Sequence, residues 1–220
     1  MAYDKNASVN IWVGNIGRYN EGNLVGEWFG LPMNRTELWR AINKECKVDR
    51  LHEEVMIFDA ECSIDGVSIG EHSSIDDCNA LAAAIDDLNG YERDAVELYA
   101  KNVMGNTDPL RVANVCMDCG SIPYHEYAYN GRNPEESYGL TMVYECNPEL
   151  AEVLEKWGIE GYFDFEAYGR DTDDYLLDNG YIEAGGDEPD DDWYSALEIL
   201  EEYNLYAGED EEEEGIIVAG

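Results

Sequence analysis

Val9, Ile11 and Val13 alternate with Asn10 and Trp12 ahead of Gly14-Asn15, a period of two that predicts a strand running into a turn. Leu24 to Phe29 is the expected hairpin partner. Asn34 followed by Glu37 has capping-box spacing, and Leu38, Trp39, Ile42 and Cys46 then fall on one helical face. Val55 to Ala60 supplies a third strand. The order β-β-α-β predicts a small α+β unit with one sheet face covered by the helix.

Ser74 is placed to cap a helix from Ile75 to Leu88, whose stripe of Ile75, Cys78, Leu81, Ala82, Ile85 and Leu88 leaves Asp76, Asp77, Asp86 and Asp87 off the apolar face. Tyr91 to Met104 is helical in phase through Val96, Tyr99, Ala100 and Val103. Asn147 and Pro148 open a helix that Gly158 closes, predicted to bury Leu150, Val153, Leu154 and Trp157 behind an outer face of Glu149, Glu152 and Glu155. Strands are expected at Leu140 to Glu145 and Tyr162 to Tyr168, with a weaker one near Tyr181, giving a second α+β unit. Trp193, Ala196, Leu197, Leu200 and Tyr203 predict a short amphipathic helix between two acidic blocks that are expected to be disordered. The expected division is an α+β domain over 1–70, a mainly helical one over 71–121, a second α+β domain over 122–185 and an acidic tail over 186–220.

Charge changes this picture more than composition does. Fifty acidic residues face 13 basic ones, a net charge of −37. The excess grows along the chain, from −2 over 1–60 to −13 over 61–150 and −22 over 151–220. Direct binding to nucleic acid or an anionic membrane is excluded by like-charge repulsion. Glu149/Glu152 and Glu152/Glu155 each oppose helix formation by about 0.2–0.5 kcal/mol, so local stability did not select them. A protein of saline cells would also be acidic, but solvent pressure should act on the first sixty residues too. The start of the chain lacks an apolar leader core and no run approaches a membrane span, so a cytoplasmic location is expected. The six cysteines are then read as free buried thiols.

Candidate chemistry is sparse. Cys116 and Cys119 form a C-x2-C pair which, with His125 and Cys146, could assemble a zinc site, although no second closely spaced ligand pair accompanies them. Gly14, Gly17 and Gly22 match no phosphate-binding loop. Asp171, Asp173 and Asp174 begin like a calcium loop, yet Tyr175 and Leu176 break the pattern. Neither enzymatic activity nor a cofactor is expected.

Two long blocks carry a resemblance. Ile11-Trp12-Val13-Gly14-Asn15-Ile16-Gly17-Arg18-Tyr19-Asn20-Glu21-Gly22, continuing to Leu31-Pro32, resembles the N-terminal signature of the ArdA antirestriction family. Leu154 to Asp171, ending Ala167-Tyr168-Gly169-Arg170-Asp171, is similar to that family's late segment. The resemblance spans roughly residues 9–183 and implies a DNA mimic, carried by mobile elements, that occupies the DNA-binding groove of Type I restriction-modification enzymes. It further implies an elongated chain of small domains forming a homodimer shaped like bent duplex. The carboxylates expected to stand in for phosphates are Asp76, Asp77, Asp86, Asp87, Glu92, Asp94, Glu97, Glu135, Glu136, Glu149, Glu152, Glu155, Glu160, Asp164, Glu166, Asp171, Asp173 and Asp174. Duplex DNA carries one charge per about 1.7 Å, so −37 corresponds to about 63 Å of helix. The competing readings are a zinc-binding module on Cys116 and Cys119, and a generic acidic protein of halophile type.

Overall fold

Strand β1, Val9–Asn15, is the centre of an antiparallel sheet in the order β2-β1-β3, with β2 at Gly26–Leu31 and β3 at Val55–Cys62. The structure, a computed structural model, describes residues 3–186 and 188–206. The β1–β2 register sets Val9 opposite Leu31 and Ile11 opposite Phe29, and these four side chains are fully buried together with Val13. Helix α2, Arg35–Glu45, contributes Leu38, Trp39 and Ile42 to the same core, opened by Asn34 accepting the Glu37 N–H at 3.2 Å. Strand β2 begins two residues later than Leu24, which is exposed, because Phe29 and Leu31 are the side chains that meet the core. A short helix α1, Ile16–Asn20, capped by Asn15, fills the connection read from sequence as a turn.

Helices α3 (Ile75–Asp87), α4 (Gly90–Asn102) and α5 (Pro109–Met117) follow, and α3 is buried far beyond its predicted stripe, continuously from Cys78 to Ile85. Neighbours on several sides account for this: β1, β2, α5 and a late helix α9, Ala196–Glu202. The predicted tail helix exists, but its buried side chains are Ala196, Ile199 and Leu200, while Trp193 and Leu197 stay exposed. Its cap is Ser195 in a capping box with Glu198. The chain therefore divides into two units. One joins the residues up to Cys119 with the segment from Pro189 onward, and the other is Gly120–Glu188. The part of the expected acidic tail from Pro189 to Tyr206 is a docked strap, so Asp190 to Asp192, expected to be disordered, are placed; the block Glu209 to Glu214 lies outside the described residues.

The second unit holds a small antiparallel sheet in the order β4-β6-β5, from Tyr124–Glu126, Gly180–Ile182 and Tyr175–Leu176, so the strand expected near Tyr181 is present. The strands expected at Leu140 to Glu145 and Tyr162 to Tyr168 are not. Helix α6, Pro134–Thr141, passes into a π-helical turn at Met142–Cys146, and α8 spans Phe165–Arg170. Their caps explain the outcome locally: Asn133 accepts the Glu136 N–H and Asp164 accepts the Ala167 N–H. The crossing explains it globally. A Cβ built on Gly139 would lie 2.0 Å from the Phe165 carbonyl oxygen, and one on Gly169 1.9 Å from that of Glu135, so two backbones meet where neither could carry a side chain.

Helix α7, Pro148–Trp157, follows its prediction in length, and Gly158 ends it at φ +60°. It buries Ala151 and Leu154 against Val143, Tyr144, Phe163 and Phe165. Val153 and Trp157, expected inside, are exposed, Trp157 by 71%. Among the described residues the fold is thus α+β, with two three-stranded antiparallel sheets and nine α-helices.

Candidate functional site

None of the eighteen candidate carboxylates is buried, but they fall into two groups by what they touch. Asp76 accepts two hydrogen bonds from the Arg35 guanidinium, at 2.9 and 3.0 Å, and one from the Trp39 indole at 2.9 Å. It ties α2 to α3. Asp77 lies in the capped first turn of α3, where burial raises its pKa. Asp86 accepts from the Ser8 hydroxyl; burial and, secondarily, Asp87 raise the pKa of Tyr203, whose hydroxyl donates to the Met117 sulfur at 3.1 Å. Glu92 closes the capping box with Asn89, Glu97 lies 3.9 Å from Lys101, and Glu166 pairs with Arg170. Glu136 holds Arg132 by guanidinium and backbone, which lowers its pKa. Asp164 caps α8, and Asp174 accepts from the Tyr138 hydroxyl at 2.7 Å and the Ala184 N–H at 2.9 Å. Each of these has work inside the fold.

The remainder present charge without such duties. Glu149, Glu152 and Glu155 stand exposed along one side of α7, and Asp94, Asp171 and Asp173 are exposed on α4 and after α8. Glu135 and Glu160 are half-buried. Glutamates three residues apart on a helix advance about 4.5 Å along its axis, against about 3.4 Å per phosphate along one DNA strand. The α7 row thus matches about three-quarters of the linear charge density of a single strand. Asp86 and Asp87 close α3 at its negative dipole end, another position that local stability opposes.

The remaining candidates do not come together. Among the described residues no three His, Cys, Asp or Glu side chains are grouped to hold a metal. Cys116 is buried in α5, where desolvation raises its thiol pKa, and Cys119 sits in a short 3-10 turn. His125 and Cys146 belong to the second unit. Cys46 and Cys78 are likewise buried, Cys46 with its pKa raised to about 12 by desolvation. His52 has a structural setting instead: Nε2 lies 3.1 Å from Glu21, Nδ1 lies 3.0 Å from Asp49, and Arg18 bridges Asp49 to the Lys47 carbonyl. No helix among the described residues is long and apolar enough to cross a membrane.

The strap carries the tail helix expected from sequence, and its docking contacts are specific. Buried Asn114 donates to the Tyr194 carbonyl at 2.9 Å and accepts the Tyr194 N–H at 2.6 Å, reading one strap residue as a β-ladder would. Arg111 pairs with Asp191 at 2.7 Å, and the Arg35 N–H donates to the Leu205 carbonyl at 2.8 Å while its guanidinium lies over the Tyr206 ring. A row of small residues on α3 was the available signal, because Ala82, Ala83 and Ala84 are all covered.

Geometry and charge together define an acidic α+β protein whose outward helix faces carry carboxylates that the fold does not consume. The family model for antirestriction protein (ArdA) matches residues 11–183, and the chain belongs to that family. Membership carries antirestriction function, with restriction enzymes as the targets, and it is a family of inhibitors rather than enzymes. No curated protein matches the chain. The match stops short of the strap, which begins at Pro189.

Proposed function

We propose that this protein mimics duplex DNA and competitively blocks the DNA-binding groove of Type I restriction-modification enzymes, acting in the cytoplasm as a homodimer. The observation that carries the reading is the family match over residues 11–183. The net charge of −37 supports it, since the partner's groove must be basic to bind phosphates. Glu149, Glu152, Glu155, Asp94, Asp171 and Asp173 are the best phosphate surrogates in this reading, because an acid already paired with Arg35, Arg132 or Arg170 projects little field. Exposed Val153 and Trp157 on α7 offer a second copy apolar surface beside that acidic row.

The test is competition: labelled duplex bound to a Type I methyltransferase core is displaced by the protein, and the apparent affinity falls steeply with added salt. Failure to displace DNA, or an affinity that does not respond to salt, sinks the mimic reading. Cooperative folding in low-salt buffer argues against the halophile alternative, and metal analysis of purified protein tests the zinc one.

A further inference from the structure

Between α5 and the strap lies a cavity of about 280 Å³ lined by Asn114, Met117, Asp118, Asp190, Trp193 and Tyr194. That is smaller than the roughly 300–1,000 Å³ of drug-sized ligand sites and suits a single side chain. Its walls are of two kinds. Trp193 and Tyr194 are 70% and 42% exposed, and their rings stand 6.3 Å apart at 56°, tilted rather than stacked. The same cavity is lined by Asp190 and Asp118, joined through the Asp190 N–H at 3.1 Å, and Asp192 donates its N–H to Asp190 at 3.0 Å.

The arrangement is held in place rather than left to fluctuate. Asn114 fixes both backbone polar groups of Tyr194, Asp191 is held by Arg111, and Ser195 starts α9 one residue later. Trp193 is therefore exposed between the anchored residues Asp191 and Tyr194, directly after Asp192 in the chain. An exposed indole gains nothing from water, whereas a cation over its face within about 6 Å is attracted by the ring quadrupole and by the adjacent carboxylates. A guanidinium suits both walls, since it stacks on aromatic rings and donates in a planar fork to carboxylate oxygens.

We infer that the Trp193–Tyr194 cleft is a docking site for an arginine side chain of the basic protein partner, supplying a directional anchor beside the general electrostatic field. The inference rests on the DNA-mimic reading for the identity of the partner, but the cleft can be tested without it. N-acetyl-arginine amide is titrated into the full-length protein at constant ionic strength, and the tryptophan indole N–H signals are followed by NMR. Trp157, 71% exposed in the other unit, is the internal control. The expected result is a saturable shift of the Trp193 signal with no saturable shift of Trp157, absent with the neutral isostere N-acetyl-citrulline amide. Asp190→Asn should weaken the apparent affinity by about threefold to tenfold. Parallel shifts at both indoles, which mark a diffuse counterion atmosphere, overturn the inference, as does an equal response to citrulline. Competition with DNA for the methyltransferase core is read separately, so loss of one result leaves the other standing.

Discussion

Leu200→Ala should lower the stability of the first unit by a large fraction of its total. Leu200 is fully buried on α9, beside Ile199, and α9 packs on α3, itself enclosed by the sheet and α5. Truncating a buried leucine to alanine costs about 2–5 kcal/mol, set by how far the site can collapse. Collapse is limited here, because α3 is held in place by Asn79, which exchanges two 2.8 Å hydrogen bonds with the Met33 backbone, and by Asp76 with Arg35. A value near 3 kcal/mol corresponds to a melting shift of about 6–12 °C for a unit of this size. Leu197→Ala on the same helix removes a side chain already 37% exposed and should cost much less, about 1 kcal/mol or under. Thermal unfolding followed by tryptophan fluorescence reports mainly on the first unit, which contains Trp12, Trp28, Trp39 and Trp193, leaving Trp157 alone in the second. Equal melting temperatures for the two variants, or a Leu200→Ala protein that melts with the parent, would refute a docked strap and restore a tail that acts only through its charge.

Three other perturbations separate parts of the argument. Gly169→Ala drives a Cβ to 1.9 Å from the Glu135 carbonyl and should exceed the usual overpacking cost of about 1–3 kcal/mol, whereas Gly161→Ala meets open space; circular dichroism melts that show the two alike contradict the close α6–α8 crossing. Replacing Glu149, Glu152 and Glu155 together by glutamine relieves like-charge pairs and should leave stability unchanged or raised, while weakening inhibition and flattening its salt dependence; unchanged inhibition and salt slope in a competition assay remove α7 from the binding face. His52 has its pKa raised by hydrogen bonds to Glu21 and then Asp49, so its contribution to stability is complete below the ordinary imidazole value of about 6.5 and is lost as pH rises through the raised one. The stability gap between parent and His52→Gln should accordingly be wider at pH 6 than at pH 9 in urea titrations, and a gap independent of pH counts against the cluster.

What could be read from sequence depended on the range of the interaction that fixed each element. Asn34, Ser74, Asn147 and Gly158 act within one helical turn, and the helices they bound lie where spacing put them. Asn133-Pro134 with Glu136, and Asp164 with Ala167, were signals of the same kind, yet the short apolar runs beside them also fit strands, and periodicity cannot separate a short buried helix from a buried strand. The deciding fact was the meeting of Gly139 with Gly169, thirty positions apart in sequence and invisible to any local window. The same motif glycine that carried the family resemblance therefore has a physical reason to be glycine. The strap follows the same logic, since α9 displayed an apolar face and α3 a run of alanines, but nothing local paired the one with the other.

The range of interactions also governs which carboxylates remain available to a partner. Glu136 with Arg132 and Glu166 with Arg170 are i,i+4 pairs, so their neutralisation is legible in spacing alone. Asp76 is a different case, because Arg35 lies 41 positions away and only the fold brings them together. In the DNA-mimic reading, counting every acid as a phosphate surrogate thus overstates α3 and understates the strap, where Asp190 and Asp192 are fixed by Asp118 and each other instead of trailing in solvent, while Asp191 is taken up by Arg111. A flexible acidic tail chiefly speeds encounter with a basic partner, while carboxylates held on a folded surface also lengthen the life of the complex. Docking of α9 moves Asp190 and Asp192 from the first category to the second, and a strap-anchoring defect such as Leu200→Ala should consequently be read in the dissociation rate.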